Sequence, residues 1–342
     1  MTNWRKHLWT VGKIVFTLGI LLLVGWQIFR DLQSVQLDDL VFRPGWAVAS
    51  AVCYLIGLMC AGLFWFRLLI LFEQKPHFGT CMRAYYIGHL GKYVPGKAVG
   101  LLMRGTLARS GTVNMGVAMI TAFYEVLTTM ASGAILAAVV FMIFPPEILG
   151  LNVSPVFIGG ALFVLVGIPL LPAVFNRMVK KMAGRFQQME SLKLPPLKTR
   201  TLLEGLFLTG CGWMLLGLSM WCTLQTLSPK LQPFSLPDFF LTWLKLSATV
   251  SLAYVAGFLA ILVPSGVGVR EFFLLRLLPL EIVGLSTDLT KAVAAMAALV
   301  IRLIWTVSEL VTASILYVWP KIFLNHRDHR DHREKDREES GE

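Results

Sequence analysis

Long apolar runs separated by short polar stretches make up most of the chain. Six of these runs have about 20 or more mostly apolar residues, enough for a helix to cross a hydrocarbon core of roughly 30 Å. The pattern therefore predicts an all-α polytopic membrane protein, and a seventh apolar run lies at 239–263. The six predicted spans are 11–29, 46–71, 113–144, 155–175, 202–224 and 292–319.

The composition agrees with this class of protein. Of the 342 residues, 56% are hydrophobic and 15% are charged, and the mean hydropathy is +0.68, whereas soluble domains are roughly 45–50% apolar. The net charge of +11 fits the basic excess that membrane proteins keep on cytoplasmic loops, so we predict no nucleic-acid partner. The five cysteines lack the paired spacing of disulfides or zinc sites, and we predict no metal and no cofactor.

The distribution of lysine and arginine predicts the orientation of the spans. Segment 177–200 holds seven basic residues and one acid, Glu190, whereas segment 145–154 holds no lysine or arginine. The first is therefore predicted to be cytoplasmic and the second external, which also places both termini in the cytoplasm. The basic N-terminal segment lacks a cleavage site, so residues 1–320 are predicted to form one integral membrane domain. Residues 321–342 are a charged tail that we expect to be disordered.

The stretch 72–112 begins and ends on the predicted cytoplasmic side, so it cannot cross the bilayer once. Its centre is apolar enough to enter the membrane and contains Pro95 and Gly96, which suit the sharp tip of a hairpin. We therefore expect a re-entrant helical hairpin whose broken backbone faces protein or a water-filled cavity.

A second copy of this stretch is found when Pro95 is placed on Pro264. Five of eleven positions are then identical at an offset of 169 residues, which favours an inverted repeat with a second re-entrant hairpin at 238–283. The alternative is that 239–263 and 267–283 both cross the membrane, giving eight spans. The identical pairs are Tyr85 and Tyr254, Gly88 and Gly257, Leu90 and Leu259, Val94 and Val263, and the two prolines.

Four of the basic residues in the first hairpin lie between positions 92 and 109. A cation inside a membrane costs roughly 2.5–3.5 kcal/mol unless it is paired or hydrated. We expect these residues to line a cavity that holds an anionic group, most simply a lipid phosphate. The alternative is that the side chains extend to the cytoplasmic interface. The four are Lys92, Lys97, Arg104 and Arg109.

The second hairpin offers small residues followed by two charges. In "PSGVGVRE" the small residues would let a lipid headgroup approach backbone amides, and the arginine and glutamate that follow are a candidate charge pair. The predicted site residues are Pro264, Ser265, Gly266, Gly268, Arg270 and Glu271.

Three further charges lie on predicted spans. Glu125 has no basic residue within one helical turn, so it either pairs with a hairpin cation or carries protons. Arg302 and Glu309 are seven residues apart and share one helix face, from which they could reach hairpin charges. The sequence shows no catalytic triad, no pair of catalytic carboxylates and no nucleotide-binding glycine loop, and we therefore do not expect an enzyme or an ATP-driven pump.

The segments "GHLGKYVPGKAVGLLMRGTLAR" and "PSGVGVREFFLLR" resemble two signatures of a flippase-like family, found as the transmembrane region of lysylphosphatidylglycerol synthases. The resemblance covers the chain from the first helix to the last and implies a bacterial or archaeal cytoplasmic (inner) membrane protein. The family often has a glutamate-arginine pair and then an acid in the helix after the first hairpin. Here Val126 follows Glu125, and Thr129 stands where that acid would fall. By the same resemblance Lys92, Pro95, Gly96 and Lys97 match the first signature, and Pro264, Gly266, Gly268, Arg270 and Glu271 match the second.

The resemblance and the cationic hairpin together favour binding of an anionic membrane lipid and its translocation between leaflets. The resemblance does not imply lysyl transfer, because the short charged tail leaves no room for the aminoacyl-transfer domain. Two alternatives stay open. One is an enzyme or enzyme subunit acting on a polyprenyl-phosphate-linked sugar, and the other is a scaffold for a separate lipid-modifying enzyme. A second copy of the chain is a further candidate partner.

Overall fold

The structure is a computed structural model of the whole chain. The residues it describes are 42–93, 99–145, 196–227, 236–260, 266, 268–282 and 287–340, together with isolated positions between 168 and 177. Two predicted spans, 11–29 and nearly all of 155–175, lie outside the described residues, as does the basic segment 178–195.

The described part of the chain contains eight α-helices and no strand, which confirms the predicted fold class. Five helices are long and apolar enough to cross a membrane, in agreement with four predicted spans and the seventh apolar run. The helices are α1 (Pro44–Leu71), α2 (Phe78–His89), α3 (Val99–Ala108), α4 (Met115–Ile143), α5 (Thr199–Leu227), α6 (Leu236–Leu259), α7 (Val269–Leu277) and α8 (Thr287–Ser340).

Small residues set the closest helix crossings. Helix α1 lies along α5, where a Cβ on Gly212 would stand 3.0 Å from the carbonyl oxygen of Gly57. Helix α5 meets α6 where a Cβ on Gly217 would lie 2.5 Å from the Cα of Ser247. Lipid tails are as apolar as the helix surfaces, so membrane helices gain from this close backbone approach rather than from apolar burial alone.

The first predicted hairpin is a pair of short helices joined at one end. Helices α2 and α3 have 12 and 10 residues and pack against each other, so each is only about 15–18 Å long. The ends away from the tip are hydrogen-bonded together. The amide of Lys75 donates to the carbonyl of Thr112 at 3.2 Å, and the amide of Asn114 donates to Oε1 of Gln74 at 2.8 Å. The chain therefore enters and leaves this unit at the same end of the helix bundle.

The second predicted hairpin has unequal limbs. Helix α6 has 24 residues and is long enough to cross a membrane, whereas α7 has nine and ends in a 3-10 turn, Leu278–Leu280. Nζ of Lys245 lies 3.5 Å from Oε2 of Glu281, so the short limb ends beside the middle of α6. With nine residues, α7 is shorter than the roughly 20 that a helix needs to cross a membrane, which favours the hairpin over the alternative with eight spans.

The charged tail continues the last helix. Helix α8 extends to Ser340, so the backbone of residues 321–340 is helical where the sequence predicts disorder. Glutamate, lysine and arginine are abundant in this segment, and all three have high helix propensity. The domain boundary at residue 320 stays a prediction.

We expect Gly217→Ala to destabilise the protein by about 1–3 kcal/mol, because the new methyl group must push α5 away from α6. Gly210→Ala is the matched control on the same helix, since a Cβ there meets nothing within 4 Å. The measurement is thermal unfolding in detergent, followed by the reaction of buried Cys81 and Cys222 with a thiol-reactive fluorophore. Equal melting temperatures for the two variants would contradict the proposed close crossing.

Candidate functional site

We call α2 and α3 the first hairpin unit, and α6 and α7 the second. A cavity of about 430 Å³ lies where these two units meet the other long helices. Its walls are mainly apolar, with contributions from α1, α4 and α5, and polar side chains enter it from both hairpin units. A second cavity of about 40 Å³ shares Arg270 and Tyr254 with the larger one in its lining. The polar and charged residues that line the larger cavity are Tyr85, His89, Lys92, Arg104, Glu125, Thr129, Thr209, Trp213, Tyr254 and Arg270.

The first hairpin unit places an arginine over an aromatic ring. The guanidinium carbon of Arg104 lies 4.1 Å from the centre of the Tyr85 ring. Gly88 leaves room for the arginine, because a Cβ on Gly88 would stand 2.5 Å from Cγ of Arg104. Gly100 also packs closely against Gly88, because a Cβ on Gly100 would lie 3.3 Å from the carbonyl oxygen of Gly88. We call Tyr85, Gly88, Gly100 and Arg104 the first module.

The second hairpin unit repeats this arrangement. The guanidinium carbon of Arg270 lies 3.4 Å from the centre of the Tyr254 ring, and a Cβ on Gly257 would stand 2.6 Å from Cγ of Arg270. Gly266 has a φ of 66° and would place a Cβ 2.6 Å from the Cα of Gly257, so the position needs glycine both for its backbone conformation and for space. Tyr254, Gly257, Gly266 and Arg270 form the second module.

The two modules have matching spacings along the chain. In each, the tyrosine and the first glycine are three residues apart, and the second glycine and the arginine are four residues apart. The tyrosines are 169 residues apart and the arginines 166, so the two tips differ by three residues. The shared contacts support the internal repeat that the sequence predicts.

The first module is neutralised by Glu125. Nη1 of Arg104 lies 2.6 Å from Oε2 of Glu125, while Tyr85 and Thr129 donate hydrogen bonds to Oε1 at 3.3 and 3.0 Å. Arg104 is 5% exposed and Glu125 2% exposed. The alternative in which Arg104 extends to the membrane interface is therefore wrong, and the predicted pairing of Glu125 with a hairpin cation is confirmed.

The second module has no matching carboxylate. Within the described residues no acidic oxygen lies within 4.0 Å of the Arg270 guanidinium, and its buried Nε has no hydrogen-bond partner. Ala298 and Arg302 of α8 border the adjoining small cavity with Arg270. Arg270 is thus a cation at the cavity wall with no carboxylate of the described residues within 4.0 Å.

The predicted Arg270–Glu271 pair is not formed. Glu271 binds Arg302 and accepts a hydrogen bond from the amide of Gly268 at 2.5 Å, which caps the start of α7. Consecutive residues on a helix point about 100° apart, so Arg270 faces the large cavity while Glu271 faces α8. Glu271 is therefore a residue that positions the second hairpin unit.

Helix α8 also holds the first hairpin unit. Glu309 forms an ion pair with Lys92 and accepts a hydrogen bond from Tyr54, and Nε2 of His89 lies 3.6 Å from Oε1 of Glu309. Arg302 binds Glu271, so two residues of opposite charge on α8, Arg302 and Glu309, each bind a different hairpin unit. This confirms the expectation that these two residues reach hairpin charges.

The structure brings four of the predicted site residues to the large cavity: Lys92, Arg104, Glu125 and Arg270. Two residues at the site, Tyr54 and His89, are not among those predicted from the sequence. Both could have been noticed, because Tyr54 is one of two hydroxyl side chains in the apolar run 46–71 and His89 is one helical turn from Lys92. The predicted site residues outside the described part of the chain are Pro95, Gly96, Lys97, Pro264 and Ser265.

The helices and the cavity define a polytopic α-helical membrane protein with a charged internal site. Residues 11–310 match the family model described as lysylphosphatidylglycerol synthase TM region, and the chain belongs to this family. The match confirms the resemblance found in the two signature segments. No curated protein matches the chain.

We expect Glu271→Ala to lower the free energy of unfolding by about 2 kcal/mol or more, because Arg302 loses its partner and α7 loses its cap. Glu204→Ala is the control, since Glu204 pairs with Arg67 at 2.9 Å on the surface, where a pair contributes roughly 0–1 kcal/mol. Thermal unfolding in detergent measures both. If the two substitutions have equal effects, Glu271 does not hold the second hairpin unit as described.

Proposed function

We propose that the protein binds the anionic headgroup of a membrane lipid in the large cavity and moves that lipid between leaflets. Membership of the family supports a lipid-related function in a membrane. The observation that carries the proposal is the Arg270 guanidinium, which reaches the cavity wall without a carboxylate partner among the described residues.

An anionic ligand would compensate this cation. Cations among membrane helices are expensive unless a counter-charge or water reaches them. An arginine presents a planar fork of donors that matches two oxygens of a phosphate, and its charge does not titrate away. The Tyr254 ring covers one face of the Arg270 guanidinium, so an incoming anion would meet the edge of the guanidinium, where its donors lie.

The size and lining of the cavity also suit a lipid headgroup. The volume of about 430 Å³ falls within the roughly 300–1,000 Å³ typical of small-molecule sites. Apolar side chains such as Leu58, Phe123 and Phe258 make up much of the wall. A phosphate at Arg270 would have apolar surroundings for the glycerol and the first carbons of the acyl chains.

The proposed route uses the two hairpin units as re-entrant elements. Each unit contains a helix too short to cross the membrane, and discontinuous helices of this kind frame substrate sites in several transporters. We place the protein in the cytoplasmic membrane of a bacterium or archaeon, with both termini in the cytoplasm and the first unit opening to the cytoplasm. The distribution of basic residues supports this orientation.

Single cysteines placed at positions 75 and 110 in a cysteine-free background should react with a membrane-impermeant reagent from the same side of sealed vesicles. The hydrogen bonds between the ends of the first unit support this expectation. A cysteine at position 145, at the far end of α4, should react from the opposite side. Labelling of positions 75 and 110 from opposite sides would rule out the re-entrant arrangement.

Purified protein in phosphatidylcholine vesicles should accelerate the exchange of fluorescent phosphatidylglycerol between leaflets more than that of fluorescent phosphatidylcholine. Arg270→Gln should lower the anion-dependent exchange by roughly thirtyfold or more, since loss of a buried charge contact costs about 2 kcal/mol or more. Arg276→Gln is the matched control, because Arg276 lies on the same helix and is exposed.

Two results would contradict the proposal. One is exchange that does not distinguish the two headgroups, and the other is exchange that Arg270→Gln leaves unchanged. A folded protein that moves neither lipid would favour the enzyme acting on a polyprenyl-phosphate-linked sugar or the scaffold for a lipid-modifying enzyme. Copurification of a lipid-modifying enzyme would then favour the scaffold over the enzyme.

A further inference from the structure

The two modules share their geometry but differ in what meets the arginine. Each arginine lies over a tyrosine ring, packs against a glycine and lines the same cavity. Arg104 contacts the carboxylate of Glu125, whereas Arg270 contacts no carboxylate in the described part of the chain. We propose that Arg104 is a second anion site, and that Glu125 occupies it in this structure in place of the lipid headgroup. This inference rests on the proposed function.

The contacts of Glu125 are those that a phosphodiester could make. One oxygen accepts from Arg104, and the other accepts from the hydroxyls of Tyr85 and Thr129. An anionic headgroup has two such oxygens and could take the same three donors. Glu125 reaches the module from α4 and not from the hairpin unit that holds the arginine, so its carboxylate can leave without dismantling the module.

The pair is also incomplete as a structural ion pair. Arginine and a carboxylate at their most favourable geometry form two parallel hydrogen bonds. Here Nη1 of Arg104 binds Glu125, while the Nε of Arg104 is buried and has no hydrogen-bond partner in the described residues. Arg104 is 5% exposed, so water does not readily take that position. The Nε of Arg270 is likewise buried and without a partner, so both modules keep one donor unused.

A carboxylate in the first module makes the two sites mutually dependent. While Glu125 occupies Arg104, the first module has no net charge, so an anion in the cavity is attracted only at the second module. Displacement of Glu125 makes the first module equivalent to the second. The two arginines are then successive binding sites for one headgroup. Glu125 occupies the site at Arg104 when no headgroup is bound there.

The test is the binding of phosphatidylglycerol to delipidated protein in detergent, counted by native mass spectrometry, with phosphatidylcholine as the headgroup control. Arg270→Gln should weaken phosphatidylglycerol binding roughly thirtyfold or more. Adding Glu125→Gln should restore binding to within about tenfold of the wild-type affinity, because Arg104 then becomes available. Adding Arg104→Gln to this double variant should abolish binding again.

Two controls separate the possible failures. Arg270→Gln combined with Glu204→Gln removes an exposed acid and should restore nothing. If Arg270→Gln alone binds phosphatidylglycerol like the wild type, Arg270 does not bind the headgroup and the proposed function is contradicted. If Arg270→Gln loses binding and a folded Arg270→Gln/Glu125→Gln variant does not recover it, the second site is disproved while the proposed function stands.

A further measurement covers the case in which the double variant does not fold. Glu125→Gln alone keeps Arg270 and should bind a second phosphatidylglycerol where the wild type binds one. A count of one for both proteins would overturn the inference. Thermal unfolding should also show that phosphatidylglycerol raises the melting temperature of Glu125→Gln more than that of the wild type, because the anion replaces the lost counter-charge of Arg104.

Discussion

The need to offset charges among membrane helices determines how this protein is arranged. Two cations among the described residues of the first hairpin unit each bind an acid on a long helix: Arg104 binds Glu125 of α4, and Lys92 binds Glu309 of α8. The second unit reverses the signs, because its Glu271 binds an arginine of α8. The hairpin units therefore depend on the long helices for counter-charges as well as for packing.

The glycines complete this arrangement by letting each arginine approach its tyrosine. At Gly88 and Gly257 the arginine side chain fills the space that a methyl group would occupy, so the cation is fixed by contact as well as by charge. A guanidinium held over an aromatic ring keeps its donor edge in one direction. The cavity consequently presents two similarly mounted arginines, of which Arg104 has an internal counter-ion.

The sequence predicts the parts of this structure that depend on local pattern. Apolar length predicts the spanning helices, and the seven-residue spacing of Arg302 and Glu309 predicts that both face the hairpin units. The partner of each charge depends on how the helices pack across the bundle, and this packing cannot be predicted from a local sequence pattern. Adjacency in the sequence suggested that Arg270 pairs with Glu271, but helix geometry directs the two side chains to different neighbours.

The departure from the family pattern at position 129 bears on the charge of the cavity. An acid there would lie one helical turn from Glu125, and two carboxylates facing a single arginine would repel each other. Thr129 instead donates a hydrogen bond to Glu125 and adds no charge. The described side chains at the cavity therefore retain an excess positive charge at Arg270, since Arg104 and Lys92 are each paired with one glutamate. A second acid would cancel this excess, so the threonine favours a cavity that attracts a single anionic group.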